Sequence, residues 1–572
     1  MLSLSSLKIN LYNALMGGAS GSALSLDFLS GALDSRITFT RGTNATLVDS
    51  TGKITYAPAN LLLQSNAFTT GFWVRTDASL TTGIGDPAGG TSATTLTATA
   101  AFGVIQQAAT STAGTYSASI WIKRRTGTGQ VSLRCGDVTP IPITVTSSWV
   151  RYTVTAVASS TTIRLAVILS ISGDEVDIYG AQLEPVTYQT TAGPYVATTS
   201  AAYYGPRFDY DPVTLAPKGL LIEEARTNLL TYSEQFDNAL WVKINASVTA
   251  NAAVSPDGTA TADKLIADAS NAQHRVQFGT TSAAATYAFS VYLKAAGYNF
   301  GIVRIGTSGG WVNLTNGAIS TVTGGYTMTS TSVGNGWYRV VLVGAAVLND
   351  TVRINVSNAD AATDFLGDGV SGIFLYGAQL EAGSFATSYI PTVASTVTRS
   401  ADVATMTGTN FSSWYNQSAG TFVAAFDMAG GSAAFSNNRA IFVAREGATS
   451  GHNIYNGSGQ VTGWTVVSGV DQAFLTTGAF AADTVTNMAY AYRANDFAAS
   501  RNGGTVATDT SGTLPAPTVL GIGSNSANSL FLSGHIRQLA YFNTRLPDAQ
   551  LQTLTEPDAT LSLNFISSVY EV

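Results

Sequence analysis

Aromatic side chains are the groups in this sequence whose types and positions best fit ligand binding. A saccharide is held by rings that stack on its apolar face, with a few amides and carboxylates nearby as hydrogen-bonding groups. Aromatic residues without a counterpart in the chain's internal repeat are the better ligand candidates, because the copies of a repeat diverge where their functions differ. These residues are Trp311, Trp414, Tyr415, Tyr455 and Trp464. Tyr455 and Trp464 lie in turn-rich sequence, so we expect at least one of these rings to be exposed.

The residues that usually carry catalysis are scattered along the chain. The histidines, His274, His452 and His535, have no HxxxH spacing, and the single cysteine, Cys135, has no partner for a zinc site or a disulfide. Neither a helix start nor a nearby histidine is present to activate Cys135. We expect His535, in the predicted strand GHIRQLAYF, to be structural and Cys135 to be a small core residue.

Carboxylates are the remaining catalytic candidates. A glycosidase needs two of them across a sugar site, roughly 5–10 Å apart. Asp209 and Asp211 share one strand face because they are two residues apart, and so do Glu175 and Asp177. Both pairs lie in linker-like or strand-edge sequence, which favours solvated carboxylates over a catalytic pair. We therefore expect no enzyme activity.

Length and charge narrow the class of protein. At 572 residues the chain fits roughly three or four domains. Charged residues make up 11%, and the net charge of -7 with a pI near 5.0 provides no basic surface for nucleic acid. The start of the chain lacks the pattern of a signal peptide, and no run of 18 apolar residues predicts a membrane span.

The chain contains a tandem repeat. NLLLQSNAFTTGFWVR from Asn60 and NLLTYSEQFDNALWVK from Asn228 share Asn, Ser, Phe and Trp at the same spacing, and both copies end in YGAQLE. Each copy contains strand-length runs rich in Val, Ile, Thr and aromatic residues, separated by Gly, Ser and Asp, which is typical of an antiparallel sandwich. Matching tryptophans are assigned to a core that both copies share. They are Trp73 with Trp241 and Trp149 with Trp337.

Changes in pattern along the chain predict six segments. They are an N-terminal attachment segment (1–25), a small β collar (26–59), module 1 (60–197), an extended linker (198–227), module 2 (228–395) and a distinct third sandwich (396–572). A short amphipathic helix is expected over residues 7–16, and the one later helix signal follows Pro547. The apolar sequence 561–572 indicates either a strand of the third sandwich or surface buried between subunits.

Long stretches of the chain resemble modular tail or head fibre (spike) proteins of tailed bacteriophages. LDFLSGALDSRITFTRGTNATLVDSTGKI resembles their entry segment, and RFDYDPVTLAPKGLLIEEARTNLLTYSEQF resembles the linker into a carbohydrate-binding-module-like jelly roll. VTRSADVATMTGTNFSSWYNQSAGTF and SGHIRQLAYFNTRLPDAQLQTL resemble the two ends of a laminin-G/concanavalin-A-like lectin domain. The expected fold is therefore all-β: tandem antiparallel jelly-roll β-sandwiches followed by a concanavalin-A/laminin-G-like sandwich, after a short N-terminal attachment segment.

The resemblance implies a homotrimeric virion fibre without a cofactor, joined to other virion proteins through its N-terminus and touching a surface glycan of the host. Carbohydrate-binding jelly rolls commonly hold a structural calcium through acidic residues of their last strand. Here those positions are Gly180-Ala181 and Gly377-Ala378, which argues against that site. Asp257 and Asp263 remain as partial oxygen ligands in module 2.

Three functions remain open. The first is an adhesin that binds a host receptor, favoured by the lectin-like end and by the absence of catalytic motifs. The second is a head or collar decoration fibre that only projects from the particle. The third, a polysaccharide-degrading tailspike, requires converging carboxylates, and the long regular β-helix of such enzymes is not predicted.

Overall fold

The computed structural model describes residues 22–110, 114–158, 162–279, 281, 283–430, 439–457, 459–525 and 529–557. Antiparallel β-sheets form most of this part of the chain, so the predicted fold class, tandem jelly-roll sandwiches followed by a concanavalin-A/laminin-G-like sandwich, is confirmed. Most of the predicted attachment segment, its helix over 7–16 and the apolar sequence 561–572 lie outside the described residues. No helix within them has the length and apolarity needed to cross a bilayer.

The N-terminal segment consists of short strands and one 3-10 turn, Phe28–Ser30. The strands are β1 (Leu24–Asp27), β2 (Thr38–Thr40), β3 (Thr46–Val48), β4 (Ile54–Tyr56) and β5 (Ala59–Asn60). β3 and β4 form a hairpin. The sequence Asp49-Ser50-Thr51-Gly52 predicts a hairpin turn at this place, and the Gly52 N–H donates to the Asp49 carbonyl (2.9 Å).

Module 1 is a sandwich of two five-stranded sheets. Its strands are β6 (Val74–Thr76), β7 (Ala78–Ile84), β8 (Ala93–Ala98), β9 (Gly103–Thr110), β10 (Gly114–Thr126), β11 (Val131–Cys135), β12 (Ile141–Ile143), β13 (Val150–Ala158), β14 (Thr162–Leu169) and β15 (Glu175–Val186). The front sheet has the order β13-β10-β15-β8-β7 and the back sheet β12-β11-β14-β9-β6. On β10, Ile120 and Ile122 point into the core while Trp121 between them points outwards, as the two-residue alternation of a strand requires.

The segment between the modules contains β16 (Tyr203–Tyr204), β17 (Arg207–Tyr210), β18 (Pro217–Ile222) and β19 (Arg226–Asn228). Module 2 repeats the sandwich with two six-stranded sheets. Its strands are β20 (Val242–Ile244), β21 (Ala246–Ala253), β22 (Ala262–Ala267), β23 (Asn271–Ala272), β24 (His274–Phe278), β25 (Ala285–Ala296), β26 (Phe300–Ile305), β27 (Ser308–Asn313), β28 (Ile319–Val322), β29 (Thr327–Ser332), β30 (Tyr338–Ala346), β31 (Val352–Ser357), β32 (Phe365–Leu366) and β33 (Gly372–Ala382). The front sheet has the order β21-β22-β33-β25-β30-β29 and the back sheet β20-β24-β31-β26-β27-β28.

The third sandwich contains the remaining strands and two helices. They are β34 (Val397–Arg399), β35 (Val403–Thr407), α1 (Thr409–Ser412), β36 (Ala419–Phe426), β37 (Arg439–Glu446), β38 (Ser450–Gly457), β39 (Gln460–Val467), β40 (Val470–Thr476), β41 (Thr486–Arg493), β42 (Asp496–Arg501), β43 (Ala507–Asp509), β44 (Val519–Ile522), β45 (Gly534–Phe542) and α2 (Asp548–Thr555). α2 is the helix predicted after Pro547.

Strands from far earlier in the chain complete both sheets of the third sandwich. One sheet has the order β17-β18-β45-β36-β41-β42-β43, with β1 also paired to β45, and the other has the order β2-β35-β44-β37-β38-β39-β40. The collar and the linker expected between independent domains therefore place β1, β2, β17 and β18 inside these sheets. Buried apolar residues explain this, because Leu24, Leu26, Leu220 and Ile222 pack into the core of the third sandwich. Modules 1 and 2 are in effect insertions into that sandwich.

A buried network of ion pairs joins the segments that lie outside the two inserted modules. The Arg207 guanidinium contacts Glu223 (Nη1 to Oε2, 2.7 Å) and Asp402, and Arg399 contacts the same Glu223 carboxylate. Arg41, which follows β2, reaches Asp402 (Nη1 to Oδ1, 2.9 Å). The N-terminal segment, the segment between the modules and the start of the third sandwich thus meet in one group of charges.

Candidate functional site

The structure buries most of the aromatic residues predicted to bind ligand. Trp311 and Trp414 each expose 6% of their surface, and their indole N–H groups donate to the carbonyls of Ala362 (3.0 Å) and Asn410 (2.7 Å). Tyr415 is half-buried, with its ring stacked on that of Phe411 (4.7 Å between centroids). Trp414 therefore packs in the core of the third sandwich, and Tyr415 packs against that core with part of its side chain exposed.

The other two candidates, Tyr455 and Trp464, form an aromatic row on the outer face of the third sandwich. Tyr455 on β38, Trp464 on β39 and Phe474 on β40 follow one another, with ring centroids 5.3 Å apart for Tyr455 and Trp464. Tyr455 exposes 7% of its surface and Phe474 48%, while Trp464 is half-buried and donates its indole N–H to Asp471 (2.8 Å). Of the five residues predicted to bind ligand, Tyr455 and Trp464 are the two that lie in a row with an exposed ring, that of Phe474.

A larger group of exposed rings lies on the front sheet of module 1. Trp121 on β10 meets Tyr179 on β15 and Tyr195 beyond β15, with centroids 5.8 Å and 5.4 Å from the Trp121 ring. Trp149, directly before β13, adds a fourth ring through Lys123, which shares the outer side of β10 with Trp121 and lies over the Trp149 ring. All four side chains are half-buried, so each presents part of its ring to solvent. We call Trp121, Trp149, Tyr179 and Tyr195 the open aromatic face.

Two cations lie against this face. The Arg151 guanidinium lies 4.6 Å from the centre of the Trp121 ring and donates to the Gly193 carbonyl (2.6 Å), which fixes its position. The Lys123 ammonium lies 5.0 Å from the Trp149 ring. Both contacts have the geometry of cation–π interactions. The face therefore combines apolar rings with hydrogen-bond donors, which is the combination that a saccharide hydroxyl and its apolar C–H face require.

Hydrogen bonds hold Tyr195, one of the two tyrosines of this face, in place. The Tyr195 hydroxyl donates to Asn66 Oδ1 (3.0 Å) and also contacts Ser65 Oγ (2.7 Å). Burial raises the pKa of Tyr195 to about 12, so its hydroxyl stays protonated at neutral pH. A ring that is already held in place loses little conformational entropy when a ligand stacks on it.

Module 2 contains the same cluster in a covered form. Tyr292, Tyr376 and Tyr389 replace the three central rings, and Trp337 replaces Trp149. Tyr292 exposes 4% of its surface and Tyr389 exposes 3%. Tyr376 and Trp337 each expose 2%. We call these four residues the covered aromatic face.

The hairpin of β3 and β4 explains why the two copies differ. Ile54 on β4 packs into the same buried cluster as Trp337, and its N–H donates to the Pro256 carbonyl (3.1 Å). The Trp337 indole N–H donates to the Val254 carbonyl (3.1 Å). Trp149 of module 1 has no such cover among the described residues, so its assignment to the core is wrong, whereas that of Trp337 is right.

Pairing in the repeat favours a core position for Trp149, so the open aromatic face is not among the predicted ligand sites. The signal that could have found it is the alternation along β10. Ile120 and Ile122 belong to the core of module 1, which places Trp121 on the opposite side of the sheet. Alternation cannot tell whether another segment covers that side, and only module 1 leaves it open.

Carboxylates gather at one cleft of module 2. Glu234, Asp237 and Asp263 line a cavity of about 240 Å³. Burial raises the pKa of Glu234 to about 7 and that of Asp263 to about 6. Asp263 accepts from the N–H groups of Phe236 (2.7 Å) and, with its other oxygen, of Asn251 (2.9 Å), so both of its oxygens are occupied.

The repeat supplies a reason to regard Glu234 as structural. Glu234 accepts a hydrogen bond from the Tyr389 hydroxyl (2.9 Å). Its counterpart in module 1 is Asn66, which accepts a hydrogen bond from the Tyr195 hydroxyl (3.0 Å). Since an uncharged amide holds the tyrosine in module 1, holding the tyrosine requires neither ionisation nor proton transfer. Asp257, the other metal candidate, is hydrogen-bonded to the Thr259 N–H (2.9 Å) and to Ser255. No group of three or more His, Cys, Asp or Glu suited to a metal ion occurs within the described residues.

The histidines and the cysteine are placed apart, as their spacing predicted. His535 lies on β45 with Nδ1 2.7 Å from Asp427 Oδ1 and Nε2 3.0 Å from Asp209 Oδ2. His452 is buried, and burial lowers its pKa to about 3. Burial raises the pKa of Cys135 to about 11, so its thiol is neutral and unreactive.

Neither a family model nor a curated protein matches this sequence. Solved structures do show partial likeness. The CBM40 module of the Ruminococcus gnavus IT-sialidase bound to α2,3-sialyllactose aligns at 14% identity over 26% of this chain and 88% of that chain, with a TM-score of 0.22. The tandem CBM22 domain of Paenibacillus barcinonensis Xyn10C aligns at 10% identity over 57% of this chain and 98% of that chain, with a TM-score of 0.19.

Domains LG4-5 of the mouse laminin α1 chain align at 8% identity over 48% of this chain and 86% of that chain, with a TM-score of 0.17. The titles of these structures name carbohydrate-binding modules and laminin G domains. Likeness at these identities and TM-scores carries no conclusion about what this chain binds.

Proposed function

We propose that this chain is a non-enzymatic saccharide-binding protein and that the open aromatic face of module 1 is where the saccharide stacks. The observation that carries the proposal is the contrast between the two copies. The same four-ring cluster is covered in module 2 and half-exposed in module 1. Leaving apolar ring surface in water has a cost that burial would remove, so an exposed and rigid cluster fits a ligand.

The chemistry of binding follows from the side chains. Sugar C–H groups stack on Trp121 and Trp149, while the Lys123 ammonium is within the face as a hydrogen-bond donor. The face is a sheet surface rather than a deep pocket, so it accepts an internal stretch of a longer saccharide. A shallow site of this kind does not enclose a bond for cleavage, which supports a binding role without catalysis.

The biological role that we propose rests on the sequence resemblance to bacteriophage fibres. In that role the chain is a trimeric virion fibre whose N-terminus attaches to other virion proteins and whose sandwiches contact a host surface glycan. A head or collar decoration fibre is the alternative. Loss of adsorption by particles that carry the Trp121→Ala variant would favour the adhesin, and normal adsorption by particles that lack the chain would favour decoration.

The saccharide proposal is tested with the full chain on an array of bacterial surface glycans, followed by calorimetric titration of the strongest ligand. Truncating a central aromatic anchor costs ~2 kcal/mol or more, so Trp121→Ala is expected to weaken binding at least roughly 30-fold. Phe72→Ala is the matched control, because Phe72 is 45% exposed in the same module but lies outside the open aromatic face. Binding that survives Trp121→Ala unchanged would refute the site.

The row of Tyr455, Trp464 and Phe474 is the second candidate site. The 48% exposure of Phe474 favours it, because a large apolar ring beside Trp464 is otherwise left in water. If this row binds the saccharide, Trp464→Ala weakens binding and Trp121→Ala does not. Release of reducing sugar ends from host polysaccharide, abolished by Glu234→Gln, would instead establish a degrading enzyme and end the proposal.

A further inference from the structure

Three arginines lie side by side on the outer face of the back sheet of module 2. Arg304 on β26 is directly opposite Arg353 on β31, and Arg275 lies on β24, the next strand. The residues that flank them, Val303, Val352 and Val276 among others, belong to the core, which places all three guanidinium groups on the outer side. We call these residues the arginine face.

No carboxylate forms an ion pair with any of these three arginines within the described residues. Arg275 donates to Gln277 Oε1 (3.1 Å), and Arg353 donates to Thr351 Oγ1 (3.0 Å), so neutral groups hold the side chains in place. Like charges directly opposite each other on a sheet are destabilising. Burial, and after it the charge of Arg353, lowers the pKa of Arg304. Asp364 attracts Arg304 through its charge but forms no ion pair with it, so the three neighbouring cations have no paired acid among the described residues.

A buried amide lies in the same face. Asn355 is opposite both Arg275 and Ile302, and its side chain is fully buried, yet neither its Oδ1 nor its Nδ2 has a hydrogen-bond partner. Leaving such a group unpaired costs ~1–3 kcal/mol. Trp311 lies on the far side of Ile302, and the Arg304 guanidinium is 5.2 Å from the Trp311 ring. Cations and an unsatisfied amide are thus brought together at one place.

Module 1 provides the comparison that separates structure from binding. Arg164 occupies the position of Arg353, and Ala166 that of Asn355, in the aligned runs TIRLA and TVRIN. Arg164 is paired with Asp137 (2.8 Å). The sandwich therefore forms equally well with an acid beside this arginine and with no amide in the sheet, so the packing of the fold does not require the arrangement in module 2.

We infer that the arginine face of module 2 is a binding site for an oxyanion group, a carboxylate, sulfate or phosphate carried by the ligand. Guanidinium groups present planar pairs of N–H donors that match the oxygens of such groups. The anion offsets the repulsion between Arg304 and Arg353. This site lies on module 2, away from the open aromatic face, and does not depend on the saccharide proposal.

The inference is tested by calorimetric titration of the full chain with sulfate, phosphate and glucuronate at matched ionic strength, with chloride as the reference. Saturable binding of at least one of these anions is expected. Arg353→Gln should weaken it at least tenfold. Arg164→Gln in module 1 is the matched control and should change the affinity by less than twofold.

Stability distinguishes this site from a structural cluster. Without anion, Arg353→Gln should raise the melting temperature, because it removes a like-charge contact, and Asn355→Ala should leave it unchanged or raise it, because it removes an unpaired amide. Variants that gain stability and lose anion binding together carry the signature of a binding site. The inference is overturned if none of the three anions binds saturably, or if Arg353→Gln binds them as tightly as the unaltered chain. The outcome for Trp121→Ala does not bear on either result.

Discussion

Glu234 and Asn66 occupy matching positions in the two modules, yet only one of them titrates. Glu234 has a pKa raised by burial to about 7, against an ordinary value of 4.5. A carboxyl whose pKa is raised by folding contributes stability that is fully present below pH 4.5 and lost as the pH rises through 7. The charge is partly screened by water in the cleft, so the loss should be about 1–2 kcal/mol.

We therefore expect Glu234→Gln to remove part of the pH dependence of module 2. The unaltered chain should lose stability between pH 5 and pH 8 relative to this variant, measured as the difference in melting temperature at the two pH values. Asp364→Asn is the control, because Asp364 is an exposed carboxylate of the same module. A difference between pH 5 and pH 8 that Glu234→Gln leaves unaltered would show that the buried carboxyl does not titrate in this range.

At the scale of elements, the segment from β17 to β18 is held by charges as well as by strand pairing. Arg207 is fully buried and is shared by Glu223 and Asp402. Attraction from its two arginine partners keeps the pKa of Glu223 well below its usual range despite burial, so the network is ionised. Removing one member of a buried ion pair leaves the other charge without compensation, which costs ~3–5 kcal/mol.

Arg207→Met is accordingly expected to destabilise the third sandwich by ~3–5 kcal/mol, measured by denaturant unfolding followed through its tryptophans. Arg493→Met is the matched control. Its pair with Asp496 (2.6 Å) has 62% of the arginine side chain exposed, so the cost should be ~1 kcal/mol or less. Equal costs for the two substitutions would mean that the network contributes no more than a surface pair.

Much of the local structure was predictable from sequence, and the cover over the site was not. Alternation and turn residues gave the sandwiches, the β3–β4 turn and the helix after Pro547. Whether Trp149 or Trp337 is exposed depends on Ile54. This residue precedes module 1 in the sequence but packs against Trp337 of module 2. No pattern around either tryptophan carries that information, because the contact is made by a distant hairpin.

At the scale of the whole molecule, the third sandwich is assembled from three separated parts of the chain. β1, β2, β17 and β18 complete its two sheets. These strands are three to six residues long, and β1, β2 and β18 each pair with a strand several hundred residues away that nothing in their own sequences indicates. The sequence pattern therefore predicts a collar and a linker where the structure has sheet strands.

The two kinds of domain should behave differently when they are cut out. The sheets of module 1 use strands from Val74 to Val186 alone, so residues 57–205 should fold independently with a cooperative thermal transition. Residues 400–572 lack β1, β2, β17 and β18, so β45 and β35 lose the strands that pair with them and the core loses Leu24, Leu26, Leu220 and Ile222. We expect this fragment to show no cooperative transition by calorimetry and circular dichroism. A well-folded fragment 400–572 would mean that β1, β2, β17 and β18 are dispensable for folding of the third sandwich.

The pairing of β1 with β45 can form only late in translation, because β45 is synthesised long after β1. β1 leaves the ribosome about five hundred residues before β45, and at ~5–20 residues per second that interval is roughly 25–100 s. During this time Leu24 and Leu26 have no partner strand, while both inserted modules are already long enough to fold. Slower translation lengthens the exposure of these leucines on the nascent chain, so the yield of soluble protein in a recombinant host should depend on elongation rate and on chaperone supply.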